Sequence, residues 1–294
     1  MRWRDLRRSD NVRDERGMGG AGGGGGLGLG VGRVGGGLGA VALLVVAYFV
    51  GGPDAVLQLL SSGSGNGAAP SGREGAPLTA NDDDSQFVAA ILGSTEDVWG
   101  EIFSQQGRRY APPLLELFDG SVQSACGFAS AAAGPFYCPG DQRVYLDTSF
   151  FRDLARLGGP GDFAAAYVIG HEVGHHVQTL LGTSGKVHAA QERGNEATAN
   201  RLQVAMELQA DCFAGVWAFH ANQRNRVLEP GDVDEGLAAA QAIGDDRLQR
   251  NAGRRVTPDS FTHGSSAQRQ QWLRTGLTTG NPAACDTFAS SATK

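Results

Sequence analysis

The chain has 294 residues, of which 41% are hydrophobic and 19% charged, with a formal net charge of -6. That is enough apolar side chain to build the core of one ordinary domain plus extra segments, so a wholly disordered chain is excluded. The acid excess argues against a protein that reads nucleic acid through its phosphates, and no nucleic-acid partner is expected.

The first segment, residues 1–33, carries Arg2, Arg4, Arg7, Arg8, Arg13 and Arg16 and then a glycine tract without the triplet period of collagen. It reads as a basic cytoplasmic segment, with folded structure beginning later. Val34 to Gly52 has no charge and an apolar centre, VALLVVAYFV. At about 1.5 Å per residue it could span a hydrocarbon core of roughly 30 Å. Basic residues before it predict a single-pass anchor with everything after Gly52 outside the cytoplasm. A cleaved secretory signal is the alternative, and it lacks a convincing small-x-small site. Residues 53–84, rich in Gly, Ser, Pro and Asp, read as a flexible linker. The folded domain is expected over residues 85–294.

Within that domain, Ser85 to Phe103 has apolar residues at helical intervals and predicts a helix broken near Gly93. Tyr110 to Phe118 and Arg143 to Leu146 read as strands flanking a loop bracketed by Cys126 and Cys138. An exported chain permits disulfides. The short loop favours Cys126 with Cys138, leaving Cys212 with Cys285, against the alternative of four unpaired buried thiols.

The most informative stretch is Asp162 to Leu181, DFAAAYVIGHEVGHHVQTLL. Phe163, Tyr167, Gly170, Gly174, Val177 and Leu181 recur every three or four residues, which predicts a helix of about five turns capped by Asp162. His171 and His175 stand four apart, so their imidazoles stack one turn apart and can reach one metal ion. Glu172, rotated by about 100°, can stand beside that ion and accept a proton from water. His-Glu-x-x-His is the known signature of zinc metallopeptidases. Gly170 and Gly174 beside the histidines predict close approach by another element. His176 turns away from His175 and His188 has no apparent partner, so neither is expected to be a ligand.

A catalytic zinc takes three protein ligands and leaves one position open. Ala197 to Asn222 predicts a second helix on which Glu207 and Asp211 share a face with apolar neighbours. Acids in such surroundings are costly to bury without partners. Glu207 is therefore the expected third ligand, and Asp211 the acceptor that orients the His171 ring through its other nitrogen.

HEVGH paired with a later ELQAD resembles the gluzincin zinc peptidases. More closely, GPFYCPGDQRVYLD, GDFAAAYVIGHEVGHHVQ, ELQADCFAGVWA and DSFTHGSSAQR resemble the bacterial neutral zinc metallopeptidases, over roughly Ser124 to Phe288 and in the basic, Gly-rich N-terminus. The resemblance implies an α+β zincin-like metallopeptidase fold, mostly helical with a small sheet. It implies one zinc ion, a peptide or protein substrate, and a membrane-anchored peptidase with an extracytoplasmic catalytic domain. Thr262, His263 and Arg269 resemble the Thr-His-Pro and following Arg of membrane-associated gluzincins, which implies that His263 and Arg269 stabilise an oxyanion. Here Gly264 replaces that proline. Two other readings share the pattern: a catalytically inactive zinc-containing envelope scaffold, and an amidase acting on cell-wall peptides.

Overall fold

The computed structural model describes residues 1–16, 76–78, 82–131 and 134–291. It joins a small mixed sheet to a larger set of helices, so the α+β expectation holds at that level.

Residues 1–16 pack into the main core, whereas the folded domain was expected to begin near Ser85. A short 3-10 turn, Trp3–Asp5, leads to strand β1, Val12–Asp14. Met1, Trp3, Leu6 and Val12 are buried in the same core as Phe163, Ile169, Val173 and Phe213. Trp3 packs edge-on against Phe87 at a centroid distance of 5.5 Å. Four apolar residues at irregular intervals among arginines carry neither a helical nor a strand period, which is why the sequence hides them. The expected anchor, residues 34–52, lies outside the described residues, as does most of the expected linker. Among the described residues no helix is long and apolar enough to cross a membrane.

Strand β2, Ala76–Pro77, pairs antiparallel with β1, and helix α1 follows over Asp83–Gln105. Asp82 caps α1 by accepting from the Ser85 backbone N–H. The helix runs unbroken through Gly93, contrary to the expected break. A Cβ at Gly93 would lie 2.6 Å from the backbone oxygen of Arg7, so glycine is there to admit the N-terminal segment.

Strand β3 is Leu114–Leu117, shorter than expected because Pro112 and Pro113 stay outside it. The hairpin β4, Ser121–Ser124, and β5, Gly127–Ser130, was not foreseen; Ala125 and Cys126 form its two-residue turn. Strands β6, Phe136–Cys138, and β7, Arg143–Leu146, complete the main sheet in the order β2-β1-β3-β7-β6. β1, β3 and β7 are parallel, and β6 runs antiparallel at the edge. Val12, Leu115, Leu117, Val144 and Leu146 face the helices, while Tyr145 and the hairpin residues Val122 and Ala129 form a separate cluster on the other side. The Cys126–Cys138 disulfide ties the hairpin turn to β6.

The helical part contains α2, Ser149–Leu157; α3, Asp162–Leu181; α4, Thr183–Gln191; α5, Glu196–Asn225; α6, Asp232–Ala242; α7, Asp245–Asn251; α8, Ser266–Thr279; and α9, Thr287–Ser291. Asp162 is the first residue of α3 and not its cap: Gly161 precedes it, and the Asp162 carboxylate binds the Met1 ammonium at 2.7 Å. α3 and α5 cross closely because a Cβ at Gly170 would meet Trp217 at 2.8 Å and one at Gly174 would meet the Ala210 oxygen at 2.9 Å. The expected close approach is thus by α5. Cys212–Cys285 pins the C-terminal segment to α5, one residue beyond Asp211.

Candidate metal centre

α3 presents His171 and His175 on the side that faces α5, and α5 presents Glu207 back to them. His171 Nε2 lies 3.2 Å from Glu207 Oε2 and 3.2 Å from His175 Nε2; His175 Nε2 lies 3.6 Å from Glu207 Oε1. One donor atom from each of the three falls within 4.8 Å of the other two. Two imidazole nitrogens and one carboxylate oxygen so gathered are a donor set that suits zinc.

The outward-facing nitrogens are set from behind. His171 Nδ1 lies 2.8 Å from Asp211 Oδ1, which leaves Nε2 for the cluster. His175 Nδ1 lies 2.9 Å from Gln178 Oε1, and the Gln178 amide donates to the Met206 carbonyl at 2.8 Å. Gln203 donates to Glu207 Oε1 at 3.0 Å. Glu172 is buried beside the cluster, where burial pushes its carboxyl up while His171 and His175 pull it down; the Tyr137 backbone of edge strand β6 also hydrogen-bonds to it. Burial wins, and the Glu172 pKa is raised overall.

Asp211 is fully buried and fully engaged. It accepts from Tyr167 Oη, from Arg269 Nε at 2.8 Å and from Arg269 Nη2 at 2.8 Å. Burial would raise its pKa, but Arg269 and His171 bring it down to about 2. Arg269 also donates to Tyr167 Oη and to the Ile243 carbonyl. Its guanidinium therefore stands behind His171 with its donors directed into the protein. The expectation for Arg269 was contact with a substrate oxyanion; here its donors are directed to Asp211, Tyr167 and Ile243.

His263 sits differently. Its backbone N–H and those of Thr262 and Gly264 donate to Asp245 Oδ2, and its Nδ1 lies 3.2 Å from Asp245 Oδ1. Burial lowers the pKa of His263, but Asp245 and, more weakly, Glu207 raise it overall. The ring thus lies within electrostatic reach of the Glu207 carboxylate, with Nε2 as the nitrogen that Asp245 does not hold. Gly264 has φ +89, a conformation closed to proline, so the backbone differs here from the Thr-His-Pro pattern. A side chain at Gly264 would press on Val204 and Leu208, on the same helix as Glu207.

The remaining histidines stay out of the cluster. His176 hydrogen-bonds Tyr137 Oη and the Ala111 carbonyl, and burial lowers its pKa. His188 is an exposed partner of Glu192. Sequence reasoning missed Gln178, Gln203 and Asp245. The first two lie three after His175 and four before Glu207, a helical signal that was available. Asp245 lies 18 residues from His263 and carries no local signal.

A family model described as "Putative neutral zinc metallopeptidase" matches residues 1–288. The chain belongs to that family. An uncharacterized protein of Escherichia coli K12, YpfJ, is 47% identical over 293 residues, covering 99% of this chain and 100% of its own. An uncharacterized protein of Mycobacterium bovis, Mb2605, is 44% identical over 213 residues, covering 69% of this chain and 70% of its own. No solved structure matches. The match to the family begins at residue 1, in keeping with an N-terminal segment that is part of the fold.

Proposed function

We propose that the protein is a zinc-dependent peptidase with a zincin-like active site, whose zinc is held by His171, His175 and Glu207. The carrying observation is the convergence of His171 Nε2, His175 Nε2 and a Glu207 oxygen within 4.8 Å, with Glu172 buried next to them. Zinc bound there supplies Lewis acidity toward a peptide carbonyl and toward water. Glu172 takes the proton from the attacking water and passes it to the leaving amine. His263 donates from Nε2 to the carbonyl oxygen as negative charge develops on it, with Asp245 fixing the proton on Nδ1. Arg269 and Asp211 keep the His171 ring in register. The edge strand β6, whose Tyr137 backbone hydrogen-bonds to Glu172, lies where an extended peptide can pair with it.

The test is elemental analysis combined with cleavage of a peptide library, with a chelator control. The expected wild-type result is one zinc per chain and chelator-sensitive hydrolysis. Glu172→Gln should keep the zinc and lose hydrolysis by about 10²-fold or more. A wild-type protein that binds zinc and cleaves no peptide would favour the scaffold reading; hydrolysis that survives in Glu172→Gln would remove the proposed base.

A further inference from the structure

The arginine-rich N-terminus looks, in the sequence, like a charge signal that stays in the cytoplasm while the chain behind Gly52 is exported. The structure gives those arginines other work. Arg7 pairs with Glu96 at 2.7 Å and Asp97 at 2.9 Å, Arg16 with Asp14 at 2.8 Å and Asp82 at 3.1 Å, and Arg4 with Asp83 at 3.1 Å. Apart from Asp14, these acids lie on α1 or at its cap. A basic segment is thus matched to an acidic helix of the peptidase body.

The backbone is matched as well. Ser9 N–H donates to the Ala89 carbonyl at 2.9 Å, Leu115 N–H to the Asn11 carbonyl at 2.8 Å, and Arg2 N–H to the Val227 carbonyl at 2.8 Å. β1 is an interior strand, between β2 and β3. Its ladder with β3 pairs Val12 with Leu115, Arg13 with Glu116 and Asp14 with Leu117. Strands in one sheet are about 4.8 Å apart, whereas the two faces of a bilayer are separated by a hydrocarbon core of about 30 Å. A chain that passes once through a bilayer between Asp14 and Ala76 cannot keep both residues in one ladder, yet Asp14 and Ala76 are paired.

We infer that residues 1–16 and residues 82–291 fold as one body on one face of any membrane that the chain meets, so that the uncharged run from Val34 to Gly52 does not part the N-terminus from the metal centre. The single-pass orientation read from the charge pattern is replaced by one that keeps β1 and the metal centre on the same side. None of these pairings involves His171, His175 or Glu207, so they hold whether or not the protein is a peptidase. It also explains the buried Gly93, against which Arg7 lies.

Two measurements on the full-length chain test this. All four native cysteines are in disulfides, so a cysteine added at an exposed position is the free thiol that a maleimide will report. Asp10→Cys marks the N-terminal segment and Asp234→Cys marks the peptidase body, both at exposed sites. In intact cells treated with a membrane-impermeant maleimide, both variants should be labelled or both protected, and both should label once the cells are permeabilised. One labelled and the other protected before permeabilisation would overturn the inference. The second measurement uses the sign of a stability change. Alanine for glycine inside a helix ordinarily stabilises it. With Arg7 lying against Gly93, Gly93→Ala should instead lower the Tm of the full-length protein. An unchanged or raised Tm would show that the N-terminal segment is not docked on α1, and would overturn the inference.

Discussion

Two acid–base pairs bracket the candidate metal centre, and both draw their basic member from the short stretch Thr262 to Arg269. Arg269 with Asp211 lies behind His171, with side-chain exposures of 3% and 0%; His263 with Asp245 lies beside Glu207, with 15% and 3%. The first pair is saturated, its guanidinium donating to Asp211, Tyr167 and Ile243. The second holds one ring nitrogen and leaves the other. Residues six apart in one motif are therefore placed differently: the Arg269 donors are taken up behind His171, whereas Asp245 holds only one of the two His263 ring nitrogens, which is the contrast that the proposed function uses. The difference comes from which donors are already engaged, not from charge.

Removing the rear pair should have the largest effect on stability. Arg269→Ala leaves Asp211 as a buried carboxylate without its cation, a loss that typically amounts to about 3–5 kcal/mol. Denaturant unfolding should show that drop, and zinc affinity should fall with it because His171 loses its fixed orientation. A stable Arg269→Ala protein with unchanged zinc content would abolish the contrast between the two pairs.

His263→Gln should act on rate alone. Losing one donor to a developing oxyanion costs roughly 10²–10³ in kcat. Zinc content and Tm should stay near wild type, which steady-state kinetics and thermal unfolding on the same preparation would show together.

The smallest effect is expected for Asp245→Asn, and it is an effect on pH dependence. Asp245 raises the pKa of His263 against the lowering effect of burial. The protonated donor form is present below that raised value and is lost as pH rises through it. Without the carboxylate, burial is left to dominate, so the alkaline limb of the kcat profile should move to lower pH. An unmoved limb would mean that His263 does not carry the titrating proton.

Much of the centre was legible because its parts are local. His171, Glu172 and His175 stand on one helix at a spacing that helical geometry converts directly into a common face, and Glu207 with Asp211 repeats the device on a second helix. The closeness of those helices was readable in Gly170 and Gly174. The disulfide pairing followed from one short loop, with the other pair left over. The unbroken α1 was not readable, since Gly93 looks like a helix breaker until the segment lying against it is known. The same holds for the N-terminus, whose arginines match an export signal when their acidic partners on α1 are out of view.

The amino-acid order by itself determined which side chains could meet one ion, because residues three or four apart on a helix share a face whatever the surrounding fold. The tertiary structure decided which of the remaining charged groups faces the site and which is locked behind it. It also decided that β1 belongs in the sheet beside β3. Those outcomes depend on contacts between residues tens to more than a hundred positions apart, where burial and partner geometry set the role and no periodicity in the chain records it.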